Sequence, residues 1–131
     1  MVIDTSALIA ILTGESDAPN LLNCLEADPV RLISAATLLE ASIVLETRHG
    51  REAIDLLDLF LVQAQIEISP VDRAQALAAR MAFFSYGKGR HAAGLNFGDY
   101  FAYALAKTRA ESLLYKGEDF RRTDIPASRR L

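Results

Sequence analysis

A single cysteine, Cys24, is all the thiol that this chain of 131 residues carries, and one thiol excludes an internal disulfide. Zinc is left without a ligand set as well, because His49 and His91 are distant in sequence and Cys24 stands alone. Long apolar runs are missing: Glu40, Glu46, Asp55 and Asp58 interrupt them well before the ~18 residues that a membrane span requires. No basic region precedes the first apolar segment, which itself contains Asp4, and this argues against a secretory signal. The expectation is a cytoplasmic protein with no membrane partner. There is no internal repeat, linker or low-complexity segment. The length suits one domain, residues 1–131, burying roughly two-thirds of the surface its unfolded chain would expose.

A basic excess is also absent, since the formal net charge is −3. Its distribution is uneven, however. Residues 1–30 hold the acids Asp4, Glu15, Asp17, Glu26 and Asp28 and no Lys or Arg, whereas the last third is net basic. That asymmetry is compatible with a face that meets phosphates, and equally with ordinary solvated charge.

What the chain does have is an alternation of short apolar runs with helical periodicity. Val2-Ile3-Asp4 reads as a strand ending in an acid, and Thr5 opens a helix-compatible run. Thr13-Gly14-Glu15-Ser16 is a turn, Ser16 and Pro19 mark the next helix start, and Asp28-Pro29 stops it. A strand over residues 30–34 leads to a helix over 35–48, closed by Arg48-His49-Gly50. Ile54, Leu57, Leu61 and Ala64 mark the face of another helix, and Ile66-Glu67-Ile68 a brief strand. A helix from Val71 to Tyr86 is expected to place Ala74, Leu77, Ala78, Met81 and Phe84 on one side, with Phe83-Phe84 as core or dimer surface. A Gly-rich basic loop over 87–98 precedes a helix over 99–109, then a strand over 112–115. Asp124-Ile125-Pro126 is a candidate last strand, and the tail Arg129-Arg130 is expected to fray. Strands separated by helical crossovers predict an α/β fold with a mostly parallel sheet flanked by helices.

Four acids are conspicuous on this frame. Asp4 sits at a strand's carboxyl end, where open α/β sheets bind ligands, although it also reads as a helix N-cap. Glu40 lies among Ala36, Thr37, Ile43 and Val44 in a helix apolar around nearly its whole circumference, which should therefore be buried. A buried carboxylate needs a partner, and pairing with Arg48 or snorkelling to water is the plainer reading. Asp99 opens a helix with no other charge before Lys107, yet Asn96 and Asp99 also resemble a capping box. Asp119 follows a late strand and also suits a turn. In a parallel sheet these places can converge at one end, and converging carboxylates repel unless a cation lies between them. Oxygen-only ligands favour Mg²⁺ or Mn²⁺.

The opening Val2-Ile3-Asp4-Thr5-Ser6-Ala7-Leu8, the Glu40 helix, Tyr86-Gly87-Lys88-Gly89-Arg90-His91 leading to Leu95-Asn96-Phe97-Gly98-Asp99, and Leu114-Tyr115-Lys116-Gly117-Glu118-Asp119-Phe120 together resemble the PIN-domain family. Within it they resemble the VapC-type ribonuclease toxins of bacterial toxin–antitoxin pairs. The resemblance covers essentially the whole chain. It implies a PIN-like α/β/α sandwich, an acidic pocket for Mg²⁺ or Mn²⁺, and metal-dependent endonucleolytic cleavage of RNA, with tRNA or rRNA as the substrate class. Asp4, Glu40 and Asp99 match the three core acids. Asp119 is taken as the fourth, with Glu118 in reserve. Thr5 and Ser6 match hydroxyl positions that orient carboxylates or water. Lys88, Arg90 and Lys116 are candidates for contacts to the RNA backbone. A homodimer and a cognate VapB-type antitoxin covering the site are implied too.

Two rivals use the same residues. Phosphoryl transfer on an aspartate needs an acidic doublet or a second acid two residues after the first, whereas Thr5 and Ser6 follow Asp4. Gly87-Lys88-Gly89 lacks the Ser/Thr that a P-loop places after its Lys. A non-catalytic PIN-like RNA- or protein-binding module is the other rival, and intact acids at Asp4 and Asp99 argue against it.

Overall fold

Val2, Leu32 and Leu113 face one side of a sheet while their chain neighbours Ile3, Ile33 and Leu114 face the other, as the two-residue period of a strand dictates. In the computed structural model, which describes residues 1–128, every pairing of that sheet is parallel. Its strands are β1 (Val2–Ile3), β2 (Leu32–Ser34), β3 (Glu67–Ser69) and β4 (Leu113–Leu114), in the order β3-β2-β1-β4. The helices are α1 (Thr5–Leu12), α2 (Ala18–Ala27), α3 (Ala35–His49), α4 (Glu52–Gln63), α5 (Arg73–Tyr86) and α6 (Phe97–Arg109). A 3-10 turn spans Asp119–Arg122. Arg129 and Arg130, expected to fray, lie outside the described residues.

Two cores result, one on each face of the sheet. Ile3, Leu8, Leu25, Ile33, Leu45 and Leu57 join β1 and β2 to α1 through α4. On the other face Val2, Leu32, Ala82, Ala102, Leu105 and Leu113 join the sheet to α5 and α6. The layers are therefore helix, sheet, helix, as expected. Parallel strands place all carboxyl ends on one edge, and Asp4, Ser34 and Tyr115 leave the sheet there.

Three local expectations change. The candidate strand at Asp124-Ile125-Pro126 reduces to a single bridge from Ala127 to Leu113, too short to propagate a ladder. Helix α3 is not buried all round: Thr37, Ala41 and Leu45 point inward, while Leu39 is 62% and Ile43 57% exposed. On α5 the buried positions are Gln75 and Ala82, and Leu77, Met81 and Phe84 face solvent. The reason on α5 is steric, since small alanines let it lie close against α6, and Gln75 is satisfied by donating Nε2 to Pro70 O at 3.1 Å. Leaving a large apolar side chain in water forgoes about 1.5–3 kcal/mol of burial. The outward faces of α3 and α5 are therefore unusually apolar for a solvated surface.

Candidate active site

Asp4 is placed by the sheet and by its own helix. Its backbone N–H donates to Leu114 O at 2.9 Å, which fixes it beside the end of β4. Its carboxylate caps α1, with Oδ2 accepting from Ser6 N at 3.0 Å and from Ser6 Oγ at 2.6 Å. Ser6 Oγ in turn accepts from Lys116 N at 3.0 Å, tying the chain beyond β4 to the start of α1. Asp4 is thus both an N-cap and a pocket residue, and the two readings coincide.

Glu40 projects from α3 toward α1, where Thr5 Oγ1 donates to its Oε1. The expected partner Arg48 lines the same pocket, but among the described residues it forms no ion pair with Glu40. Space for the carboxylate comes from Gly98 on α6, where a β-carbon would overlap the Glu40 oxygens. Asp99 is held by a reciprocal cap: its N–H donates to Asn96 Oδ1 at 3.1 Å, and Asn96 N–H donates to its Oδ2 at 2.9 Å. Here too the capping box and the pocket position hold together. Asp119 opens the 3-10 turn, whereas neighbouring Glu118 pairs with Arg121 at 2.9 Å and is mostly exposed.

Asp4, Glu40, Asp99 and Asp119 all line one pocket of about 410 Å³, with Thr5, Ser6 and Asn96 between them. Glu118 is not in that lining. Burial, and then the nearby Glu40 charge, raise the Asp4 pKa above 3.8, although the Ser6 hydrogen bonds pull it down. Asp99 is pushed up to about 7, first by burial and then by the charges of Asp4, Asp119 and Glu40, against the lowering bond from Asn96 N–H. Mutually destabilised carboxylates in one pocket form a site that favours a cation or protons.

Among the described residues no three such side chains stand close enough to grip an ion as they are. Asp4 and Glu40 are engaged by Ser6 and Thr5, and Asp99 by Asn96. The donor chemistry nonetheless suits a hard divalent ion, being all oxygen and electrostatically frustrated.

The basic candidates fall in three places. Lys116 lines the pocket, where its ammonium pairs with Glu15 and lies 3.8 Å from Asp17, and the bond to Glu15 raises its pKa. Lys88 lines a neighbouring cleft. Arg90 stacks its guanidinium 4.4 Å from the Phe83 ring centre. Glu15 and the space-making role of Gly98 were missed from sequence, and Arg48, named only as a partner for Glu40, lines the pocket without that pairing among the described residues. Glu15 gives no local signal, because its partner Lys116 is 101 residues away.

A family model described as PIN domain matches residues 1–126, and the chain belongs to the PIN-domain family. Its curated relatives include ribonuclease VapC of Mycolicibacterium smegmatis, 55% identical over 127 residues, covering 97% of this chain and 98% of that protein. Ribonuclease VapC30 of Mycobacterium tuberculosis is 52% identical over 125 residues, covering 95% of each. Among solved structures, Mycobacterium tuberculosis VapC20, described as a Sarcin-Ricin loop cleaving toxin, superposes with a TM-score of 0.79 at 17% identity over 98% of both chains. VapBC2 from Rickettsia felis, bound to a DNA fragment from their promoter, gives 0.74 at 16% identity, covering 96% of this chain and 94% of that one. At those identities the structural likeness concerns the fold.

Proposed function

We propose that this chain is one PIN domain over residues 1–131 acting as a Mg²⁺- or Mn²⁺-dependent endoribonuclease, the toxin of a VapBC-type pair. The observation that carries the reading is the convergence of Asp4, Glu40, Asp99 and Asp119 on one pocket, in a chain more than half identical to VapC ribonucleases. These four acids are the groups that would hold the ion. Such an ion would supply Lewis acidity, favouring a hydroxide nucleophile over neutral water and offsetting charge on the scissile phosphate.

The chain's own residues do the positioning. Ser6 holds the Asp4 carboxylate at the sheet edge, Thr5 holds Glu40, and the Asn96 cap orients Asp99. Lys116, Lys88 and Arg90 take the RNA backbone, contacts that fix register and carry no sequence information. The substrate class is tRNA or rRNA. Exposed Leu39 and Ile43 on α3, Val62 on α4, and Leu77, Met81 and Phe84 on α5 support two protein partners, a second copy and a VapB-type antitoxin. Among the described residues no helix is long and apolar enough to cross a membrane, which is consistent with work in the cytoplasm.

The test is cleavage of a mixed tRNA and rRNA pool by purified antitoxin-free protein, with Mg²⁺ or Mn²⁺ and with EDTA, beside Asp4→Asn. Discrete cuts that disappear with EDTA and in the variant are expected. Cutting that persists in Asp4→Asn would overturn the assignment.

A further inference from the structure

Beside the acidic pocket lies a second cleft of about 680 Å³, and Asn96 lines both. Its walls contrast with those of its neighbour. They carry the aromatic rings Phe83, Phe97, Tyr100 and Phe101 and the cations Arg80 and Lys88, without a carboxylate. The inner wall is braced: Tyr100 donates its hydroxyl to Leu95 O at 2.6 Å and meets the Phe83 ring edge-on at 5.9 Å. Gly87 lets the basic loop close against that wall, because a β-carbon there would strike Phe83 and the Tyr100 hydroxyl. At the lip, Phe97 is 76% exposed and rests edge-on against Phe101 at 5.0 Å. Neither Arg80 nor Lys88 joins an ion pair among the described residues.

We propose that this cleft is a nucleobase subsite, in which Phe97 stacks one unstacked base of single-stranded RNA while Arg80 and Lys88 take the adjoining phosphates. The inference rests on the ribonuclease reading, because it needs the strand to pass through the acidic pocket. A flat aromatic face accepts any base, and cations beside it neutralise the backbone that carries the base there. Phe97 and Asp99 both belong to the first turn of α6, Phe97 lining this cleft and Asp99 the acidic pocket, so a strand that crosses this helix start would offer a base to one and a phosphate to the other. The mostly apolar, aromatic wall suits the face of a base, the flanking Arg80 and Lys88 complement the phosphates on either side of it, and Asn96, shared with the acidic pocket, gives a strand a continuous path.

The experiment compares binding of a short oligouridylate with that of an abasic ribose-phosphate chain of equal length. Full-length protein carrying Asp4→Asn is used so that neither probe is cut. On this background Phe97→Ala, Phe97→Tyr and Lys88→Ala are measured, with light scattering for oligomeric state and a melting curve for folding. Phe97→Ala is expected to weaken oligouridylate binding about tenfold or more, the size of base–aromatic stacking losses, and to leave abasic binding unchanged. Phe97→Tyr should restore the preference, and Lys88→Ala should weaken both probes alike.

Equal losses on both probes, or no base preference in the parent, would overturn the subsite. The nuclease reading would survive such a result if the unmutated chain still cuts the RNA pool. Failure of the unmutated chain to cut, with neither probe bound, would remove both. Dissociation of a dimer in Phe97→Ala, with RNA binding intact, would assign the cleft to a seam between copies instead.

Discussion

Thr5 and Glu40, 35 residues apart, are joined by a hydrogen bond in which the Thr5 hydroxyl donates to the Glu40 carboxylate. It connects the first residue of α1 to the second turn of α3 across the mouth of the pocket. Among the described residues no cation pairs with Glu40, so this bond sets where its charge points. Thr5→Val should lower RNA cleavage and the apparent Mg²⁺ affinity about 10–100-fold, as loss of such supporting contacts generally does. Thr5→Ser, which keeps the hydroxyl, should retain most of both. Equal activity of the Val variant in a Mg²⁺ titration would remove Thr5 from the site.

Gly98 offers a sharper separation of stability from activity. The three atoms nearest a β-carbon there all belong to the far end of Glu40, a flexible side chain, so Gly98→Ala should be accommodated by displacing the carboxylate. Alanine also favours the helix over glycine by up to about 1 kcal/mol. The expected variant melts at or above the parent temperature while cleaving RNA at least about tenfold more slowly. A slower variant that also melts well below the parent would point to a packing defect rather than to Glu40.

Asp99 gives the pH dependence a definite sign. In the folded chain its pKa is about 7, against an ordinary value of 3.8, so between those limits the native state holds a proton that the unfolded chain has released. Metal-free stability therefore falls as pH rises from about 4 to about 7, and the contribution is fully lost above that window. Melting of the EDTA-treated protein across this range should show the decline, and Asp99→Asn should flatten it. Adding Mg²⁺ or Mn²⁺ above pH 7 should raise the melting temperature of the parent more than that of the variant.

Lys116 is shared between Glu15 and Asp17 at the pocket rim. Lys116→Ala should weaken binding of all RNAs alike and reduce the slope of log affinity against log salt by about one. Glu15→Gln should act in the opposite direction, because it frees the ammonium for phosphate. Binding isotherms at several salt concentrations check both. An unchanged slope in Lys116→Ala would show that the ion pair keeps Lys116 away from RNA.

Features set within a few residues were legible from the chain alone. Asp4 before Thr5 and Ser6 reads as a cap and Asn96 with Asp99 as a capping box, since each depends on bonds spanning no more than one turn. Val2-Ile3 reads as a strand from its short apolar run, although the ladder that makes it one reaches Leu32 and Leu113. The four acids stood out because carboxylates in apolar segments are costly without a purpose, and the parallel α/β pattern gave a reason for them to meet. Tertiary structure decided the rest. Which acid beside Phe120 enters the pocket depends on how the 3-10 turn docks, and Asp119 rather than Glu118 is on the inner side. The sequence marked α3 as apolar nearly all round, and so buried, and α5 as apolar along one side. Both helices leave large apolar residues in solvent, because the neighbouring element, and not the helix itself, determines burial. Glu15 beside Lys116, Gly98 beneath Glu40 and the cleft walled by Phe97 and Lys88 join residues from separate turns of the chain. Their meeting is a consequence of strand order, which brings β1 between β2 and β4 and carries the helices that follow them to a common edge.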